Sequence, residues 1–163
     1  ALEADLKIVL NQVLQDLIDA KAREGEKLKT IILERLADIE QHVAKVKPMM
    51  PALVKQYQKK LTLKLNEANT SNDDERIRQE MVLFVQRIDV DEELVRLSSH
   101  IAEVKRILNA TAAAGKRLDF LMQEMNREAN TLGSKSVAIE TSQISMELKV
   151  LIEQMREQIQ NIE

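Results

Sequence analysis

Two glutamates one helical turn apart, Glu124 and Glu128 in QEMNRE, and a histidine, His100 in LSSHI, are the residues of this chain best suited to chemistry. Carboxylates spaced i,i+4 share a helix face and repel each other unless a cation lies between them. A hard divalent ion suits such a pair, and a single imidazole donor moves the preference from Mg2+ toward Mn2+. His100 stands seven residues after Glu93, so both project from nearly the same side of one helix. Glu92, Arg96 and His100 step by four along that helix. If the two helices pack together, His100, Glu124 and Glu128 can converge on one Mn2+ or Mg2+, with Glu93 as a fourth ligand or a supporting group. The ion would activate a water or stabilise charge on a phosphate, with the same three residues as the catalytic set. The plainer alternative is a solvated charged face whose pairs contribute about 0.3 kcal/mol each.

A second cluster, NREANTLGSKS, gathers Arg127, Asn130, Thr131, Ser134, Lys135 and Ser136 around a glycine. Cations and hydrogen-bonding side chains so grouped can hold phosphate oxygens, and can equally cap helix ends. Arg96, Arg127 and Lys135 are the expected charge-assisted donors. The run VKQYQKKLTLK, with Lys55, Lys59, Lys60 and Lys64 beside Tyr57, is a weaker electrostatic patch. His42 falls beside the apolar positions Ile39 and Val43 and reads as a partly buried structural residue. No nucleotide-binding glycine loop, serine triad, CxxC or HExxH occurs. Neither histidine has a Glu three positions before it, which sets aside a di-metal oxidase bundle.

The elements that must position these residues are helices. Three glycines and two prolines in 163 residues are too few for a loop-rich or sandwich fold, and aromatics at 2% are too scarce for a core built on rings. Thin aliphatic seams take its place. Leu2, Leu6, Val9, Val13, Leu17 and Ala20 form one stripe, and Leu28, Ile32, Leu36, Ile39, Val43 and Val46 a second. Gly25 could end the first helix or only weaken it, while Pro48 and Pro51 predict a kink or a new start. NTSNDDE at 69–75 is the clearest break, with Ser71 or Asn72 as caps. Beyond it, Ile77, Met81 and Phe84 or Val85 open a stripe. Val90, Leu94, Leu97, Ile101, Val104 and Leu108 then alternate by four and three, as in a coiled-coil seam. Asp89 and Asp91 mark a cap before it, and Gly115 a left-handed stop after it. Leu118, Met122, Met125, Ala129 and Leu132 follow, closed by Gly133. Ile144, Leu148, Leu151, Met155, Ile159 and Ile162 make the last stripe.

The expected fold is therefore all-α. Long amphipathic helices form an N-terminal arm or hairpin over residues 1–70 and a C-terminal bundle over 71–163. Helices this long and thinly apolar need a partner surface, so a homo-oligomer is expected. The absence of cysteine excludes disulfides and thiolate ligands. No apolar run approaches the roughly 18 residues of a membrane span and no signal peptide is visible, so a cytoplasmic location without membrane contact is expected. A net charge of −3 argues against a freestanding nucleic-acid binder but not against a local basic channel.

DEELVRLSSHI at 91–101, GKRLDFLMQEMNREANTLGSKS at 115–136 and ELKVLIEQMREQIQNIE at 147–163 resemble the C-terminal region of the YicC/YloC family, and a looser likeness extends upstream through AREGEKL at 22–28. The resemblance implies a metal-dependent endoribonuclease that cleaves single-stranded or small regulatory RNA and assembles as a ring-like hexamer. It also implies that a mixed α/β N-terminal domain precedes this region and is absent here. The family's polar residues match at Glu92, Glu93, Arg96, His100, Lys116, Asp119, Gln123, Glu124, Arg127, Glu128, Asn130, Thr131, Ser134 and Lys135, and near the end at Lys149, Glu153, Arg156 and Glu157. On this basis Lys116 and Arg156 join Arg96, Arg127, Asn130 and Lys135 as RNA-binding residues. The competing expectation is a helical oligomerisation scaffold whose cleavage residues lie mainly in the absent domain.

Overall fold

The computed structural model describes residues 2–67, 74–110 and 115–160. Five helices run in order: α1 (Leu2–Glu67), α2 (Asp74–Ile88), α3 (Asp91–Leu108), α4 (Gly115–Lys135) and α5 (Ile139–Gln160). Among the described residues there is no strand, so the all-α expectation holds, and no helix is long and apolar enough to cross a membrane. The chain divides into two compact units, Ala1–Glu34 and Arg35–Glu163. The caps expected at Ser71 and Asn72 lie outside the described residues.

The first unit is helical throughout its described length and has almost no core. Leu6, Ile8, Val9, Leu10, Val13, Leu14, Leu17 and Ile18 are each between 47% and 67% exposed. Gly25 does not end the helix; a side chain there would meet nothing within 4 Å, so the position carries only glycine's intrinsic helix penalty.

The second unit holds the packed seams. α4 packs against both α3 and α5. Leu97, Ile101 and Val104 of α3, Met122, Met125, Ala129 and Leu132 of α4, and Leu148, Ile152 and Met155 of α5 are buried together with Leu36, Ile39 and Val46 of α1. The α5 stripe turns slightly from its expected line, because Ile152 is buried where Leu151 is only half-buried. Pro48 and Pro51 lie inside α1 rather than ending it. Val46, Met50 and Leu53 face Ile88, Val90 and Leu132 across this stretch, and burial on both sides of the prolines offsets the backbone bonds they remove. Tyr57 stacks on Phe84 of α2, ring centroids 3.7 Å apart. Polar links add to this packing: Lys105 Nζ donates to Glu40 at 2.7 Å and Lys47 lies 3.2 Å from Asp91, whereas His42 Nδ1, 3.2 Å from Glu147, is buried without a hydrogen bond.

The N-cap of α3 is Val90, which offers no side-chain cap; the Asp91 N–H donates instead to the Asp89 carboxylate at 3.1 Å. Asp91, Glu92 and Glu93 occupy its first turn, and Lys105 and Arg106 its last, each of the sign the macrodipole favours. At the C-terminus, Asn109 is right-handed and its amide donates to the Lys105 carbonyl at 3.0 Å. Gly115, expected as a stop, is instead the first residue of α4.

Gly133 likewise does not close α4, which continues to Lys135. It lets α5 approach: a Cβ at Gly133 would stand 2.6 Å from Ser145 Oγ. That hydroxyl is buried and donates to the Ala129 carbonyl at 2.8 Å, so it cannot turn away without losing its partner. Gly133→Ala is expected to lose about 1–3 kcal/mol to overpacking, against a helix-propensity gain of about 1 kcal/mol. Adding Ser145→Ala should recover part of the loss. Urea denaturation of both single variants and the double variant measures this coupling, and strictly additive effects would contradict the contact.

Candidate functional site

The carboxylates singled out by spacing lie at the α3–α4 seam, and two of them are buried. Glu93 is 3% and Glu128 4% exposed. Buried carboxylates need partners of opposite charge, and α3 and α4 supply them. Lys135 Nζ donates to both oxygens of Glu93, at 2.9 and 3.0 Å, and to the Asp89 carbonyl at 2.7 Å. Arg96 Nε donates to Glu128 Oε1 at 2.8 Å, while its terminal nitrogens meet Glu92 and, at 3.5 Å, Glu93. The Glu128 hydrogen bond, aided by the charges of Glu128, Glu92 and Glu93 and opposed by burial, holds the Arg96 guanidinium above its ordinary pKa. Glu128 Oε2 is buried without a hydrogen-bond partner.

Glu93, Arg96, Glu128 and Lys135 thus come together as an ion-pair network. Glu124 lies apart from them in its pairing, 3.4 Å from Arg127, and His100 is half-buried on α3. Among the described residues no three His, Asp or Glu side chains are placed to share an ion. Within one chain, His100, Glu124, Glu128 and Glu93 are thus not gathered into one group of donors. The cations nearest these acids explain the geometry: each buried carboxylate is already neutralised by an arginine or lysine.

The phosphate-binding candidates separate into two groups. Arg96 and Lys135 are engaged by carboxylates in that network. Arg127, Asn130 and Arg156, with Gln123, Asn126 and Thr131, line an open groove of about 400 Å³ between α4 and α5. Its amides and hydroxyls are ordered along α4: Asn130 Nδ2 donates to Asn126 Oδ1 at 3.0 Å and the Thr131 hydroxyl to the Arg127 carbonyl at 3.2 Å. Arg156 is braced from below, its Nε donating to Asp119 Oδ1 at 3.1 Å. Gln160 and Gln123 donate to the same carboxylate at 3.0 and 2.7 Å. The Gln160 bond foremost, then those of Arg156 and Gln123, hold Asp119 below the usual carboxylate range against the opposing effect of burial. Arg127 is 73% exposed. Lys116 is exposed at the start of α4 and does not line the groove.

The Asp119–Gln123 step was visible as i,i+4. Its joining to Arg156 and Gln160 was not, because no sequence spacing tells which turn of α5 faces which turn of α4. Gln160, within the motif at 147–163 but not among its marked polar residues, is the residue sequence reasoning missed.

The groove and the ion-pair network both fall within residues 46–163, the segment matched by the family described as endoribonuclease YicC-like, C-terminal. The chain belongs to this family. A YicC-like relative from Haemophilus influenzae, named probable endoribonuclease YicC, is 47% identical over 163 residues, which is all of this chain and 57% of the relative. A protein of the same name from Clostridioides difficile is 35% identical over 162 residues, covering 95% of this chain and 55% of its own. The chain thus spans little more than half the length of these YicC relatives.

Proposed function

We propose that this chain is the RNA-holding helical part of an endoribonuclease that cleaves single-stranded or small regulatory RNA, and that the RNA backbone lies in the α4–α5 groove. The observation that carries this reading is the convergence of Arg127 and Arg156, from two helices, on one open groove lined otherwise by amides and a hydroxyl. Guanidinium groups offer charge-assisted donors to phosphate, and the neutral donors beside them add hydrogen bonds without adding repulsion. The arginines are not a large basic patch: Arg127 also pairs with Glu124, and Arg156 with Asp119 and Glu153, so the reading rests on their placement rather than on net charge. Arg96 and Lys135 serve the site by holding α3 against α4.

His100 and Glu124 remain the proposed catalytic groups nearest the surface, with Glu128 and Glu93 acting through their ion pairs. Metal-assisted cleavage with Mn2+ or Mg2+ is part of the proposal through the resemblance, and no step is assigned to an ion held by these side chains alone. Assembly as a homo-oligomer, a hexamer by the resemblance, is part of the proposal; the uncovered apolar residues of α1 support self-association.

The ion pairs favour a second reading as well: a helical scaffold, with cleavage residues mainly in the part of the relatives that this chain does not span. Two variants of the intact protein separate the readings. Arg127→Gln with Arg156→Gln is expected to weaken RNA binding about tenfold per arginine and to lower the salt slope by about 2. Unchanged affinity would reject the groove. Glu124→Gln with Glu128→Gln, assayed with Mn2+, should lower turnover with assembly intact if these acids act in cleavage. Loss of the assembly first favours the scaffold.

A further inference from the structure

We propose that Phe120 is a base-stacking platform at the edge of the α4–α5 groove, selecting single-stranded over duplex RNA; this rests on the groove reading above. Two phenylalanines and one tyrosine are all the Phe, Tyr and Trp residues of the chain. Tyr57 and Phe84 stack on each other, and Phe84 is buried. Phe120 is 58% exposed, although α4 buries Leu118, Leu121 and Met122 on either side of it. At 100° per residue, Lys116, Phe120, Gln123 and Arg127 share one face of α4. Gln123 and Arg127 line the groove, so the ring stands one turn from its end and about 10 Å along the axis from the Arg127 position. Lys116, one turn further, is exposed.

An exposed ring between two cations, in line with a row of amides, matches what an unpaired strand requires. Its bases are splayed and stack on aromatic faces while cations follow the phosphates. A duplex hides its base faces in its own stack and offers the ring nothing. The ring also explains how a groove with few charges could discriminate, because stacking does not depend on salt as phosphate contacts do.

The test uses fluorescence anisotropy of the intact protein with a short labelled oligoadenylate, and with the same strand annealed to its complement. Phe120→Ala and Phe120→Leu are both expected to lower single-strand affinity between about fivefold and a hundredfold, with the salt slope and duplex binding unchanged. Phe120→Trp should retain affinity. Rescue by Leu would mean that only apolar bulk matters and would overturn the platform. So would wild-type affinity in Phe120→Ala, an equal loss on duplex, or a change in sedimenting mass with strand affinity intact, which would make the ring a contact between copies. If Arg127→Gln with Arg156→Gln weakens binding but Phe120→Ala does not, the platform alone falls. If the wild type binds neither strand nor duplex, the groove reading falls with it.

Discussion

Leu10→Glu combined with Leu17→Glu is expected to reduce the sedimenting mass of the protein at micromolar concentration. Eight apolar side chains between Leu6 and Ile18 are about half-exposed or more. Full burial of one such side chain contributes about 1.5–3 kcal/mol, so covering what remains exposed on eight would contribute on the order of 6–12 kcal/mol. That is comparable with the cost of association, so burial of this segment would offset most of that cost in the proposed assembly. Two glutamates per copy would have to be desolvated in the same contact, at several kcal/mol per ion. The second unit, Arg35–Glu163, carries its own core and should keep it. An unchanged mass by analytical ultracentrifugation would remove α1 as the assembly surface.

Leu148→Ala should destabilise the fold by about 2–5 kcal/mol, the range for a fully buried leucine whose cavity cannot collapse. Leu148 lies on the α5 face turned to α4, the seam that also supports the groove. Leu151→Ala is the control: it belongs to the same sequence stripe but is only half-buried, so its loss should be less than half as large. Urea denaturation with an unchanged m value measures both. Equal losses would mean that the register of α5 on α4 is one residue from where it stands here.

The contrast between those two leucines shows how far the sequence could be read. Val90, Leu94, Leu97, Ile101 and Val104 are all buried, because a four–three alternation leaves a helix one apolar face to hide. Met122, Met125, Ala129 and Leu132 follow for the same reason. Of the alternatives open at Gly25, Pro48 and Pro51, an ended helix and a new start are excluded, since a helix breaker imposes a local cost of about 1–3 kcal/mol, which flanking burial outweighs in the proline region. Stripe periodicity also cannot tell a core from an uncovered face: Leu6, Val9, Val13 and Leu17 have the same pattern as the buried seams, yet stand exposed.

The site divides the same way. Arg127, Asn130 and Arg156 were marked by residue type and do share a groove. The acids were marked equally well, but their partners were not, since Lys135 and Glu93 are 42 residues apart and Arg96 and Glu128 are 32 apart. A carboxylate pair on one helix says that a cation is wanted. It does not say whether that cation is a metal ion or a neighbouring side chain.

The stacked rings of Tyr57 and Phe84 give the protein a built-in local gauge. With no tryptophan and a single tyrosine, its near-ultraviolet signal arises from the place where α1 meets α2 and from almost nowhere else. Far-ultraviolet dichroism, in contrast, averages over all five helices. Undocking of α2 would therefore register in tyrosine emission separately from melting of the α3–α5 bundle, so the chain reports the loosening of one clasp without any added label.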